Sequence, residues 1–199
     1  LLIKPVIMMK SKTTAASAEM EKAFIDTIKN LNAARIKKIR GLQNNTLQTA
    51  FKHFDGLGLS NQNIIDELID DFSEDKTISV NSKNDTDEKQ IVINSLEDKD
   101  NEYRVVFAVD KLNEGWDVLN LFDIVRLYDT RDAKGGKPGK TTVQEAQLIG
   151  RGARYCPFIL SEDQEVDRRK FDNDLDNQLR VCETLHYHCS HNPRYIEEL

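Results

Sequence analysis

Four short runs rich in Val and Ile punctuate this chain, at 3–9, 78–80, 104–109 and 122–128, and longer stretches of helical period or polar loop separate them. Short, largely apolar runs rich in Val and Ile mark strands. No hairpin signal such as Asn-Gly joins any two of them. Antiparallel neighbours can be linked by two residues, whereas parallel neighbours need a crossover, usually a helix. The alternation therefore predicts an α/β chain with a mainly parallel sheet and crossover helices in a three-layer arrangement.

The helical stretches carry their own signals. Met20, Phe24, Ile28 and Leu31 fall on one face, which predicts a long helix over about 14–40 that stops at Gly41. A second helix is expected over about 44–54, ended by Asp55-Gly56-Leu57-Gly58. A third is expected over about 61–72, with Ser60 as its cap and Ile64, Ile65, Leu68, Ile69 and Phe72 on its apolar face. The segment 88–98 fits either a strand or an amphipathic helix. Thr142 and Glu145 match the Thr-x-x-Glu capping box, which would open a short helix running to about 152. Leu175, Leu179 and Cys182 share a face of an expected final helix. The expected organisation is one α/β lobe over 1–155 with a mainly helical extension over 156–199, together a fragment of a larger protein.

Composition limits the function. The net charge of -6 argues against a surface that coats nucleic acid, so any DNA contact must be local. Three late cysteines without framework spacing suit a reducing, cytoplasmic setting. No apolar run approaches the roughly 18 residues of a membrane span. Lys4 and Pro5 interrupt the opening apolar run, which reads as a strand and not as a signal peptide.

The stretch richest in chemistry is Gln147-Leu148-Ile149-Gly150-Arg151-Gly152-Ala153-Arg154. Two arginines three apart can present both guanidinium groups in one direction. A guanidinium donates a planar pair of hydrogen bonds to phosphate and keeps its charge, which suits it to offset charge developing in phosphoryl transfer. The same spacing also fits a helix end with solvated arginines. A second stretch, Asp110 to Asp117, leaves the carboxyl end of a strand, where open parallel sheets place ligands.

Taken together, Glu114-Gly115-Trp116-Asp117 and Gln147-x-x-Gly150-Arg151-x-x-Arg154 resemble, in order and spacing, the second RecA-like lobe of superfamily 2 helicases and translocases. The runs at 113–120, 149–154 and 169–175 look like the restriction (Res) subunit of type III restriction enzymes. The resemblance implies ATP-driven movement on double-stranded DNA, coupled to a nuclease domain of the same chain and to a modification methyltransferase subunit. As part of the full-length protein, it implies an ATP-dependent site-specific deoxyribonuclease. By position, Arg151 and Arg154 would contact the γ-phosphate, with Arg154 as the arginine finger. Gly115, Asp117, Gln147 and Gly150 would line the nucleotide cleft, and Ser11, Lys12 and Asn113 would lie near the DNA backbone. ATP and Mg2+ would be held mainly by a first lobe, because no G-x-x-x-x-G-K-[ST] loop and no D-E-x-H motif occurs in these 199 residues. Alone, the chain is expected to be inactive. The resemblance also favours helix for 88–98.

Other features carry weaker signals. Gly139-Lys140-Thr141 has Lys134 where a phosphate loop needs glycine, so it reads as a flexible basic loop. Cys182, His186, His188, Cys189 and His191 have no zinc-type spacing, and no metal site is expected. Arg168-Arg169-Lys170 fits a solvated face or a DNA contact, and Cys156 fits a structural role. Two rival readings are a small self-contained NTPase using 139–141 and a non-catalytic interaction module on a decayed helicase lobe.

Overall fold

The computed structural model describes residues 4–81, 87–109, 116, 118–128, 139–152, 159, 161–165 and 168–189, with positions 140, 141, 151 and 152 described as backbone only. Among these residues five strands form one sheet: β1 (Val6–Lys10), β2 (Thr77–Val80), β3 (Val105–Ala108), β4 (Leu121–Arg126) and β5 (His186–His188). Their order is β2-β3-β1-β4-β5, and every pairing is parallel. The fold is α/β, consistent with a three-layer RecA-like lobe.

Among the described residues six α-helices accompany the sheet: α1 (Thr14–Lys29), α2 (Ala33–Arg40), α3 (Asn45–Gly56), α4 (Asn61–Asp71), α5 (Asp87–Asn94) and α6 (Lys140–Gly152). Strand residues alternate between the two faces, so each helix layer receives every second side chain. On one face Val6, Met8, Ile78, Val80, Val106, Ala108 and Ile124 meet Ile93 of α5 and Leu148 of α6 in one buried cluster. On the other, Phe107 of β3 packs edge-to-face on Phe24 of α1 at 5.9 Å, and Phe24 packs on Phe72 at 6.4 Å. Ile36, Ile64 and Ile65 build a second cluster among α2 and α4.

Local chemistry sets the boundaries. Ser60 caps α4 through a reciprocal box with Asn63. At the end of α3, Leu59 N donates to Phe54 O and Gly58 N to Asp55 O, with Gly58 at φ 72°. That is the Schellman stop, in which glycine takes the left-handed position without steric cost. Segment 88–98 resolves toward helix, since α5 covers Asp87–Asn94.

Three sequence expectations are corrected. The helix expected over 14–40 is two helices. Asn30 N and Asn30 Nδ2 both donate to Asp26 O, ending α1, and the Asn32 side chain accepts from Arg35 N, starting α2. Short amide side chains compete with the helical backbone in this way. The Thr142/Glu145 capping box does not form: α6 begins earlier, Val143 N donates to Gly139 O, and Glu145 is turned into the protein. The expected final helix is a 3-10 turn over Gln178–Glu183, with Leu175 and Leu179 exposed. It leads directly into β5, which pairs with β4.

Candidate functional site

After β1 the chain leaves toward the β2 edge, whereas after β4 it proceeds to β5 on the other side. The carboxyl ends of β1 and β4 therefore flank the topological switch point, where open α/β sheets form a ligand crevice. Ser11 follows β1 there. It is buried, its N donates to Ala108 O, and its hydroxyl has no hydrogen-bond partner among the described residues. Lys12 is exposed beside it. Asn113, Gly115, Asp117 and Arg154 lie outside the described residues, as does the strand-following loop 129–138. Trp116 is core: it is buried and its Nε1 donates to Ile93 O at 3.1 Å.

The switch point is lined by charge from beneath. Lys10 and Arg126 are register partners on β1 and β4, and both are buried. Arg126 Nε donates to Glu145 Oε1 of α6 at 3.1 Å, with side-chain exposures of 2% and 1%. The same oxygen accepts from Tyr128 OH at 2.5 Å, and Glu145 Oε2 accepts from Tyr187 OH at 3.0 Å. The Arg126 guanidinium also lies 4.3 Å over the Tyr128 ring. One carboxylate thus gathers donors from β4, from the second residue beyond its end and from β5. Burial works against the Arg126 charge, but the Glu145 carboxylate outweighs it and holds the guanidinium above its ordinary value. Burial, then donation to Glu145, pushes the Tyr128 phenol well up.

This cluster fixes α6 by its inner face, which carries Thr142, Glu145 and Leu148. The outer face carries Gln147 and Gly150, both exposed. Position 151 stands one turn beyond Gln147 in the same helix. At 1.5 Å per residue it is about 9 Å along the axis from Glu145. Beyond the backbone of its own helix, a methyl group added at Gly150 would meet no atom of the described residues within 4 Å, and Gly150 is not among the glycines with positive φ. Neither packing nor backbone conformation within the described fold asks for glycine there.

The remaining candidates fall apart from this region. Arg168 pairs with Glu165, and Arg169 with Asp172, on the surface. Buried Glu183 accepts from Lys170 N and Phe171 N. Among the described residues no three His, Cys, Asp or Glu side chains are gathered to hold a metal ion. His188 instead pairs with Asp123 at 2.8 Å, and His191 and Cys156 lie outside the described residues. No described helix is long and apolar enough to cross a membrane. The sequence reading missed Arg126, Tyr128, Glu145 and Tyr187 as a unit. An arginine inside the apolar strand Leu-Phe-Asp-Ile-Val-Arg was the available signal, because a buried guanidinium demands a buried acid.

Comparison with known proteins finds partial matches, and the family-model match falls in the carboxyl-terminal part. A family model, HI_1054_N, described as an N-terminal region, matches residues 141–199. An uncharacterized protein of Haemophilus influenzae is 52% identical over 59 residues, covering 29% of this chain and 13% of the relative. A probable type III restriction-modification enzyme HindVIP Res subunit of the same organism is 60% identical over 40 residues, covering 19% of this chain and 8% of the relative. The chain thus matches only a small part of these relatives' length. No solved structure matches it significantly. The chain is thus in part similar to a probable type III restriction enzyme subunit.

Proposed function

We propose that this chain is the second motor lobe of an ATP-dependent DNA translocase of the type III restriction kind. In this reading a first lobe holds ATP and Mg2+, and α6 approaches that nucleotide from the side, with Arg151 and Arg154 completing the site. The parent protein moves on double-stranded DNA and works with a nuclease domain and a methyltransferase subunit. The observation that supports it most directly is Gly150. Gly150 lies in the last turn of α6, and a glycine inside a helix costs up to about 0.5–1 kcal/mol relative to alanine. Here its own fold leaves the space above it open, so its use fits close approach by a body outside this chain. Exposed Gln147 on the same outer face and the Gln147-x-x-Gly150-Arg151-x-x-Arg154 spacing fit a phosphate as that body.

The chemistry asked of this lobe is electrostatic. The arginines offset charge on the phosphoryl oxygens as the bond to the leaving group lengthens, and they do so only when the lobes are closed. Joined to its nucleotide-holding lobe, the protein with Arg154→Ala should lose about 10³-fold in ATP turnover. Nucleotide affinity should change far less. A loss below tenfold, or turnover by the present chain alone, would overturn the assignment.

A further inference from the structure

We infer that Glu145 is a positioning residue for the arginine-bearing helix: with Arg126, Tyr128 and Tyr187 it fixes the rotation of α6 and so the direction in which its outer face is presented. The inference rests on the reading of α6 given above, but its structural half stands alone.

The geometry is directional in a way that apolar packing is not. Leu148 fills the core beside Glu145, and a leucine can slide or rotate with little loss of contact. Glu145 accepts three hydrogen bonds from two side chains of the β4 end and one of β5, and all four groups are buried or part-buried. The Arg126 Nε and Tyr128 OH share one oxygen, and the Tyr187 OH takes the other. A turn of α6 about its axis would pull the carboxylate from donors on both sides at once. The ring of Tyr128 is itself held under the Arg126 guanidinium, so the donor cannot follow the helix. Gln147 and Gly150 lie on the opposite side of α6 from this anchor. Arg126 and Tyr128 lie at and just beyond the strand end that flanks the switch point. The same cluster therefore ties the helix to the crevice.

Buried ion pairs are poor stabilisers, and well-packed apolar replacements often fold as well or better. The variant pair that separates the roles is Glu145→Gln alone and Arg126→Met with Glu145→Met together. In the present chain, amide exchange along α6 should speed at least fivefold in both, with exchange in β1 and β3 unchanged. The double variant should keep a melting temperature near the parent's. In the protein joined to its nucleotide-holding lobe, kcat for ATP should fall at least tenfold in both variants, while KM changes less than threefold. Tyr187→Phe, which removes a single hydroxyl, should lower kcat severalfold and serves where Glu145→Gln does not fold. Recovery of kcat in the double variant, or unchanged α6 exchange in Tyr187→Phe, would reduce Glu145 to packing and overturn the inference. If Arg151→Ala and Arg154→Ala leave turnover intact while α6 exchange responds as stated, the motor reading fails and the structural half survives.

Discussion

At Gly150 the local rules of helix stability and the proposed site pull in opposite directions. Alanine removes backbone freedom from the unfolded chain, and here it meets nothing in the folded one. Gly150→Ala should stabilise the present chain by about 0.5–1 kcal/mol. For a chain of this size that is a rise of roughly 1–4 °C in melting temperature. In the two-lobe protein the same methyl group would stand where another surface approaches, and ATP turnover should fall at least tenfold. Calorimetry on the chain and a turnover assay on the joined protein check the two halves. A substitution neutral to both would leave the glycine without a functional explanation. Ser11 shows the converse situation: its buried hydroxyl lacks a partner, a cost in stability that the described residues do not offset.

Elements here are pinned by polar clusters as much as by apolar faces, and the Tyr128 phenol makes that testable by pH. Its folded-state value lies above the ordinary 10.0, because burial and then donation to Glu145 favour the protonated form. The stabilising contribution is therefore complete below pH 10 and is lost as pH rises above it toward the folded-state value. In the native chain the Tyr128 phenol should titrate above its ordinary value, and its ionisation should loosen α6 from β4. Ultraviolet titration of parent and Tyr128→Phe checks this: the variant should lack the late component and lose less stability above about pH 10. Parallel losses in the two would remove Tyr128 from the pin. The same cluster explains why the elements were only partly legible. β3 and α4 could be read because apolar run, period and the Ser60 cap agree. The break at Asn30–Asn32 was hidden because the apolar stripe from Met20 continues to Leu31, across the caps. Glu145 was misread because Thr-x-x-Glu also fits a cap, and its true donors are 19, 17 and 42 residues away in sequence. Of the candidate site, the helix that carries Gln147 and Gly150 followed from the sequence pattern. The anchor beneath them did not, since a single sequence carries no record of long-range pairs.

For the molecule as a whole, the position of β5 decides what folds as a unit. The strand is only His186-Tyr187-His188, too short and too polar to stand out in sequence, yet it completes the sheet beside β4. Leu185 and Tyr187 pack on the main core cluster, Tyr187 reaches Glu145, and His188 pairs with Asp123. A chain cut at residue 155 would keep α6 but lose all of these contacts and leave the hydrogen-bonding edge of β4 open, an invitation to edge pairing between molecules. Two half-buried apolar side chains and one hydroxyl bond to a buried carboxylate should amount to at least about 3 kcal/mol. With a urea slope of about 1–3 kcal/mol per molar, the midpoint should drop by at least about 1 M. The shortened chain should also elute partly as larger species in size-exclusion chromatography, where the 199-residue chain should elute as a single species. Equal midpoints for the two chains would mean that the strand adds nothing to the lobe, and that α6 is held from β4 alone. A lower midpoint with exchange in β1 and β3 preserved would place the loss at the β4 edge, and α6 should then exchange fastest among the helices.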